Sequence, residues 1–380
     1  MGTETMTTPL SIYIHIPFCQ SRCIYCDFLS FCGADDMMRP YVGAVCADIA
    51  AGGREFRGGG YEVVSIFFGG GTPTMLTAAD FELMLGAAAQ NFSLAGDVSI
   101  TTEANPETVD FAYLRELRKM GFNRISFGVQ SFDARLLAAI GRVHSPQGAV
   151  DAVNAAAGAG FADINIDLIY ALPHQSLANF AETLDIAAKL PVTHISCYAL
   201  TAEDNTPLAH NAALLAAMPD DNLDRQMYHM AMQKLAAQGF EHYEISNWAK
   251  PGFACRHNIG YWTHRQYMGF GVGAHGFVQS RRIRKTDDLL AYIGGDFDCR
   301  LLEKVDQTAE MAEFMMLGLR LTQGIDAQEF SKRFGRDIFN VFGPQLEKFT
   351  AQGLLCANGT KIALTPQGID LSNRVFADFL

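Results

Sequence analysis

The sequence lacks several features that would assign it to common protein classes. No apolar run approaches the ~20 residues that a membrane-spanning helix needs. Lys and Arg total 29 against 41 Asp and Glu, a net charge of −12, so a basic face for a nucleic-acid backbone is not expected. The segment from Met1 to Leu10 lacks the basic and apolar regions of a signal peptide. These absences predict a cytoplasmic protein that neither binds nucleic acid nor is integral to a membrane.

The nine cysteines are an odd number, and cytosolic thiols are kept reduced, so a disulfide framework is not expected. Three of them, Cys19, Cys23 and Cys26, lie within eight residues. The remaining six are scattered and read as small hydrophobic residues: Cys32, Cys46, Cys197, Cys255, Cys299 and Cys356. The cluster therefore needs an explanation of its own.

Strand-like and helical segments alternate over about the first 250 residues. One example is Arg124–Val129, a strand followed by helical sequence to about Gly160, and His242–Ser246 is the last strand of the series. Six or seven such units predict an α/β fold, a partial (β/α)6-type barrel with helices outside. A functional site is then expected at the carboxyl ends of the strands.

The alternation fades after about residue 250, which predicts three parts: a barrel core over 1–250, a connecting segment over 251–304 and a C-terminal module over 305–380. The last part shows helical patterns and then a hairpin with Asn358-Gly359 at its turn. This order predicts a mainly helical, winged-helix-like module. Its acidic and basic residues nearly balance, so we interpret it as a structural or substrate-covering cap and not as a DNA-binding domain.

The spacing Cys19-x3-Cys23-x2-Cys26 directly follows the first predicted strand. A structural zinc ion usually takes four ligands, and no second cysteine pair is present here. A disulfide is disfavoured by the compartment. An iron–sulfur cluster held by three cysteines would leave one iron open to a ligand. The position at the end of a barrel strand favours the cluster over the other two interpretations.

The longer segment Tyr13-x-His15-Ile16-Pro17-Phe18-Cys19-x3-Cys23-x-Tyr25-Cys26 resembles the radical S-adenosylmethionine (SAM) superfamily. More narrowly, it is similar to the branch that contains oxygen-independent coproporphyrinogen III oxidase and the HemW haem chaperones. The resemblance runs from Tyr13 to the C-terminal module. It implies that the three cysteines hold a [4Fe–4S] cluster, that SAM chelates the open iron, and that SAM can be cleaved reductively.

The resemblance also implies a set of SAM-binding residues at the strand ends. Carboxylates suit the ammonium and ribose hydroxyls of SAM, and an arginine suits its carboxylate. The alternative interpretations are tight turns, strand-end caps and surface ion pairs. The implied residues are Tyr13, Gly70, Gly71, Thr72, Glu103, Gln130, Arg142 and Asp167.

Three sequence features distinguish the oxidase from the chaperone branch. The oxidase pattern carries a fourth cysteine two residues after the third, where this chain has Phe28, and the oxidase has a longer extension than the eighteen residues that precede Cys19 here. The chaperone branch has an HNxxYW motif, which matches His257, Tyr261 and Trp262. An imidazole can ligate haem iron and aromatic rings can stack on the macrocycle, although Gly260 makes a helix here uncertain. A core histidine is the alternative, and His275, Cys255 and His264 are other potential ligands.

These observations predict a haem chaperone with a radical SAM fold. It would bind a [4Fe–4S] cluster, SAM and haem, use an electron donor, and deliver haem to acceptor proteins such as membrane respiratory enzymes. We assign no catalytic residue beyond the cluster ligands. We expect reductive cleavage of SAM, and the sequence leaves open whether haem delivery needs it. The alternatives are coproporphyrinogen III oxidation, another radical porphyrin modification, and a non-catalytic binding module.

Overall fold

A computed structural model describes residues 7–56 and 59–380, so most of the N-terminal segment inspected for a signal peptide lies outside the described residues. Six parallel strands form the centre of the sheet. Most of their apolar residues are buried, for example Ile12 and Ile14 at 0% exposure. The strands are β1 (Thr8–Ile16), β2 (Tyr61–Gly70), β3 (Leu94–Ala104), β4 (Arg124–Gln130), β5 (Asp163–Tyr170) and β6 (His194–Ala199).

The helices of the first 250 residues connect these strands, because successive parallel strands need a crossover. Several begin at a side-chain cap: Thr77 accepts a hydrogen bond from the Asp80 amide, and Ser176 accepts one from the Asn179 amide. The helices are α1 (Met38–Phe56), α2 (Ala78–Asn91), α3 (Phe111–Lys119), α4 (Ala134–Ala139), α5 (Pro146–Gly158), α6 (Leu177–Ala187), α7 (Ala212–Ala216) and α8 (Asp221–Ala237). The predicted α/β class and partial barrel are confirmed.

Further strands extend the sheet at both edges, in the order β12-β11-β10-β9-β1-β2-β3-β4-β5-β6-β8-β7. The added strands are β7 (Glu241–Glu244), β8 (Asn247–Ala249), β9 (Tyr267–Phe270), β10 (His275–Val278), β11 (Arg281–Arg284) and β12 (Arg300–Lys304). Strand β9 pairs parallel with β1, and the others pair antiparallel. The prediction that His242–Ser246 continues the parallel series was therefore wrong, since β7 pairs antiparallel with β8 at the sheet edge and β8 separates it from β6.

The helical sequence predicted from the end of β4 to Gly160 is divided into α4 and α5. Gly141 adopts φ +76°, in the left-handed region that favours glycine, and ends the first helix. The loop from 140 to 145 then carries Arg142 away from the helical surface. The break could have been predicted, because Gly141 is followed by Ser145 and Pro146, which cap and begin the next helix.

The C-terminal part has a hydrophobic core of its own, whose buried members run from Met311 to Phe379. It contains the helices and strands α11 (Gln307–Gly318), β13 (Ile325–Asp326), α12 (Ala327–Phe334), α13 (Ile338–Ala351), β14 (Leu355–Asn358), β15 (Lys361–Leu364), α14 (Pro366–Asp370) and α15 (Ser372–Ala377). The hairpin β14–β15 turns at Gly359 with φ +63°. Helices followed by a hairpin match the predicted module type, and the domain boundaries themselves stay a prediction.

Two short helices, α9 (Arg256–Trp262) and α10 (Leu289–Ile293), lie in the connecting segment. Among the residues that the structure describes, no helix combines the length and the apolar character needed to cross a membrane.

Candidate cofactor-binding site

The carboxyl ends of the parallel strands surround a cavity of about 380 Å³. Ten of the eleven residues expected to hold the cluster and SAM line it. The loop after β1 contributes the cysteines, and β2 to β5 and their following loops contribute the rest. The ten are Cys19, Cys23, Cys26, Gly70, Gly71, Thr72, Glu103, Gln130, Arg142 and Asp167.

The three cysteines are partly buried, and burial raises the pKa of the Cys19 and Cys26 thiols. Hydroxyl and guanidinium groups lie beside them: Thr72 Oγ1 is 3.7 Å from Cys19 Sγ, and Arg142 Nη1 is 3.5 Å from Cys23 Sγ. A Cβ added to Gly71 would lie 2.9 Å from Cys19 Sγ, so only glycine allows this approach.

Within the described ranges, no three His, Cys, Asp or Glu side chains converge closely enough to hold a single metal ion. Three ligands of a four-iron cluster bind different iron atoms, so they need a wider arrangement. The donor set fits such a cluster because thiolates are its usual ligands and Arg142 supplies positive charge beside them. The residues present therefore suit an iron–sulfur cluster better than a single ion.

Arg142 is held in the cavity wall by a polar network that includes Asn105. Its Nη2 donates to Asn105 Oδ1 at 2.7 Å and to the Gly128 carbonyl at 2.5 Å, and Asn105 Nδ2 donates to Thr72 Oγ1 at 3.0 Å. The Nε of Arg142 is buried and has no hydrogen-bond partner among the residues that the structure describes. Sequence reasoning missed Asn105, although it stands two residues after Glu103, at the end of β3. The orphaned Nε is a donor available to a bound carboxylate.

Glu103 and Asp167 supply the acidic side of the cavity. The amide of Gly70 donates to Glu103 Oε2 at 3.2 Å, while burial, reinforced by the charge of Asp167, raises the pKa of Glu103 to about 8. Asp167 accepts hydrogen bonds from Ser126 Oγ and Asn165 Nδ2, both at 2.9 Å. A cationic ligand group beside Glu103 would favour its ionised form.

Gln130 stands at the carboxyl end of β4 with φ +65°, a region that residues other than glycine rarely adopt. The strand pairing between β4 and β5 shifts by one residue at this point. Such strain costs about 1–3 kcal/mol and concentrates at functional sites. The backbone therefore marks Gln130 as a residue whose position matters to the cavity.

Tyr13, the eleventh residue, lines a different depression. This tyrosine cleft is named for the rings of Tyr13, Tyr261 and Tyr267 in its wall and has a volume of about 560 Å³. The hydroxyl of Tyr13 shares a hydrogen bond of 3.0 Å with His15 Nδ1, and its ring stacks beside Phe67. The cleft adjoins the cofactor cavity, because Arg22, Phe28 and Ser30 line both.

The HNxxYW motif forms α9 in spite of Gly260, which packs closely against Ser11 and Arg265. His257 is 3% exposed, and both ring nitrogens are engaged: Nδ1 lies 3.0 Å from Ser65 Oγ and Nε2 lies 3.1 Å from Tyr261 Oη. Burial, with a smaller effect of Arg265, lowers the pKa of His257 to about 3. This imidazole is neutral and part of the core.

The other motif residues diverge from His257. The ring of Tyr261 lines the tyrosine cleft, whereas Trp262 lies under the guanidinium of Arg320 in the C-terminal part. Of the alternative ligands, Cys255 is 1% exposed, and His264 is 4% exposed and pairs with Glu313 at 2.8 Å. His275 is exposed and lines the tyrosine cleft.

Comparison with known proteins agrees with this architecture. A family model for the radical SAM superfamily matches residues 13–187, and a model for the HemN C-terminal domain matches residues 305–371. The haem chaperone HemW of Bacillus subtilis (strain 168) is 34% identical over 379 residues, covering 97% of this chain and 99% of that protein. HemW of Escherichia coli (strain K12) is 37% identical over 384 residues, covering 98% of each chain.

The chain belongs to the HemW family of haem chaperones. The solved structure of coproporphyrinogen III oxidase (HemN) from Escherichia coli, a radical SAM enzyme, covers 98% of this chain and 90% of its own with a TM-score of 0.85. At 22% identity that likeness shows the fold alone. Membership in the radical SAM superfamily implies a [4Fe–4S] cluster and SAM as cofactors. The predicted family is thus confirmed, and the individual binding residues remain predictions.

Proposed function

We propose that this chain is a haem chaperone that holds a [4Fe–4S] cluster and SAM in the cofactor cavity, binds haem, and passes it to acceptor haemoproteins such as membrane respiratory enzymes. It would work in the cytosol with a separate electron donor. The observation that supports this most is the meeting of Cys19, Cys23 and Cys26 with the residues from four further strand ends in one cavity.

The chain's own residues divide the work of holding SAM. The backbone at Gly70 and Gly71 lets the amino-acid part of SAM approach, because side chains are absent there. Glu103 suits its ammonium group, and the free Nε of Arg142 suits its carboxylate. Asp167 suits the ribose hydroxyls. When bound, the cluster would supply the electron for reductive cleavage of SAM.

Phe28 supports the chaperone over the oxidase. It stands where the oxidase pattern has its fourth cysteine, and its side chain is 63% exposed on the wall shared by the cavity and the tyrosine cleft. A thiol at this position would offer a further ligand or redox group, whereas a phenyl ring offers an apolar surface to a porphyrin.

The three residues predicted to contact haem, His257, Tyr261 and Trp262, have different roles in the proposal. Tyr261 would contact haem directly, because its ring lines the tyrosine cleft. His257 and Trp262 would act through the position of α9, since one is buried beneath Tyr261 and the other packs on Arg320.

The test is an anaerobic reconstitution with iron and sulfide, followed by titration with ferric haem. We expect about four irons and four sulfides per chain, SAM binding by equilibrium dialysis, and saturable haem binding in the absorption spectrum. Tyr261→Ala should weaken haem binding about tenfold, with Tyr113→Ala, on α3 and outside the lining of the cavity and the cleft, as the control for loss of a tyrosine.

A second assay separates the enzyme alternatives. The reconstituted chain is incubated without oxygen with dithionite, SAM and coproporphyrinogen III. We expect no protoporphyrinogen above a cluster-free control. Formation of protoporphyrinogen would assign the oxidase activity, and methylated or ring-opened porphyrin would assign another radical modification; either result would overturn the chaperone proposal.

A further inference from the structure

The tyrosine cleft has the size and the wall of a site for a flat aromatic ligand. Its volume of about 560 Å³ lies in the range of clefts that hold small organic ligands and cofactors. The rings of Tyr13, Tyr261, Tyr267 and Phe28 supply aromatic surface, and aromatic rings favour offset stacking against other π systems. The mouth is open, so a ligand can enter and leave without unfolding the core.

Two histidines line this cleft, and they differ in availability. His15 uses both ring nitrogens, Nδ1 with the Tyr13 hydroxyl at 3.0 Å and Nε2 with the Leu29 carbonyl at 2.9 Å. His275 is exposed, and its ring lies beside the backbone of Gly273, which engages one of its two nitrogens. The second nitrogen is therefore available to a metal ion in the cleft.

The protonation of His275 suits metal binding. The residue begins β10 and stands opposite Arg284 of β11 in the antiparallel register, so both side chains leave the same face of the sheet. Partial burial, and then the nearby charge of Arg284, lowers the pKa of His275, while Asp287 opposes this more weakly. A neutral imidazole, which metal ligation needs, is favoured at physiological pH.

Charged groups belong to the lining of the cleft, and its arginines suit the carboxylates of a porphyrin. Arg284 Nη2 donates to Asp287 at 2.6 Å, but its Nε is buried and finds no hydrogen-bond partner within the described part of the chain. Arg22 also lines the cleft, with its Nε donating to the Cys26 carbonyl at 3.3 Å, and Asp27 is an acidic residue of the same lining. Each arginine thus retains donors for a carboxylate, because a guanidinium has five N–H groups.

We infer that His275 is the axial ligand of the haem iron, with the macrocycle in the tyrosine cleft and its propionates beside Arg22 and Arg284. This inference rests on the proposed haem-binding function and names its site. The histidine of the HNxxYW motif then has a different role, because the His257 Nε2 contact with the Tyr261 hydroxyl fixes the ring that forms one wall of the cleft. His257 is thus a positioning residue.

The experiment titrates ferric protoporphyrin IX, and separately metal-free protoporphyrin IX, into the full-length chain reconstituted with its cluster. His275→Ala should weaken the binding of ferric haem at least tenfold and abolish the Soret band of histidine-ligated haem. It should leave the binding of the metal-free porphyrin within twofold, since that ligand has no iron to ligate. His229→Ala, an exposed histidine on α8, is the matched control.

A second variant tests ligation directly. His275→Cys should bind ferric haem with the shifted Soret band of a thiolate ligand, which a merely structural role of His275 would not produce. His257→Ala should keep the histidine-ligated band of the wild type and weaken both porphyrins alike, because it loosens a wall. Circular dichroism of each variant checks that the fold is retained.

The outcomes separate the two proposals. If wild type binds no haem, the chaperone function itself fails. If wild type binds haem, and His275→Ala and His275→Cys keep the wild-type spectrum and affinity, the function stands and the ligand assignment is overturned. If instead His257→Ala loses the Soret band of histidine-ligated haem and His275→Ala keeps it, the iron ligand is the histidine of the HNxxYW motif.

Discussion

The guanidinium carbon of Arg320 lies 4.3 Å from the centre of the Trp262 ring. Trp262 ends α9, and Arg320 follows α11, so this cation–π contact joins the motif helix to the C-terminal core. The same arginine lies 3.8 Å from Oε2 of Glu244, whose side chain is fully buried. Burial raises the pKa of Glu244, and Arg320 opposes that shift. The guanidinium of Arg320 therefore interacts with both a buried carboxylate and an aromatic ring.

Removing this cation should destabilise the chain measurably. We expect Arg320→Ala to lower the free energy of unfolding by about 3 kcal/mol, because it leaves Glu244 buried without its charge partner. Arg320→Lys keeps the positive charge but loses the stacking contact with Trp262, so its free energy of unfolding should fall by only about 1 kcal/mol. Guanidinium denaturation measures both, and Arg336→Ala, at an exposed position, is the control. Equal stabilities for all four proteins would contradict the described contact.

The cluster content should depend on three cysteines and no others. Cys23→Ala should reduce iron and sulfide to a small fraction of the wild-type content after anaerobic reconstitution, because two thiolates cannot retain a four-iron cluster. Cys32 tests the boundary of the site, since it pairs in register with Cys19 but is exposed. Cys32→Ser should keep the wild-type content, as should Cys356→Ser on the remote hairpin. A loss of iron in Cys32→Ser would add a fourth ligand to the set.

The raised pKa of Glu103 makes the stability of the ligand-free chain depend on pH. A carboxyl group whose pKa rises from 4.5 to about 8 on folding contributes stability that is complete below pH 4.5 and is lost as the pH rises through about 8. Between pH 5 and pH 8, the free energy of unfolding of wild type should fall by about 2 kcal/mol relative to that of Glu103→Gln. This value allows for water in the cavity. Unfolding curves for both proteins at the two pH values measure this difference. A difference that does not change with pH would place Glu103 in a solvated environment.

The left-handed backbone of Gln130 predicts that two substitutions will differ. Gln130→Gly should exceed Gln130→Ala in stability by about 1 kcal/mol, because glycine adopts φ +65° without a Cβ penalty. Both variants lack the side chain, so both should weaken SAM binding to a similar extent. Thermal unfolding and equilibrium dialysis give the two readouts. If alanine proves as stable as glycine, the strain at this residue is absent.

The sequence was sufficient for the parts of the site that follow from local order. Glu103, Gln130 and Asp167 were placed correctly in one cavity because parallel strands bring their carboxyl ends to one edge of a sheet. Contacts between segments that are distant in the chain could not be predicted from the sequence. The Nδ1 of His257 contacts the hydroxyl of Ser65, which stands 192 residues earlier in the chain. Nothing in the sequence near the motif indicates that both ring nitrogens of His257 have hydrogen-bond partners.

The same limit explains the other departures. Tyr13 belongs to the tyrosine cleft because β9 to β11 add a second wall to β1, and a pairing between residues near 13 and 267 leaves no periodic signal. The edge position of β7 depended on the hairpin with β8 and not on its own composition. Asn105 could have been predicted from the sequence, since it stands in the strand-end segment that contains Glu103.

The segment that carries Arg22, Phe28 and Ser30 forms a common wall between the cofactor cavity and the tyrosine cleft. If a ligand in one site holds this segment in the position that suits a ligand in the other, each ligand binds more tightly when the other is present. By thermodynamic reciprocity, the strengthening is equal in both directions. Under the proposed function, a chain stripped of its cluster would then release haem more readily, so oxidative loss of iron and sulfide would itself discharge haem.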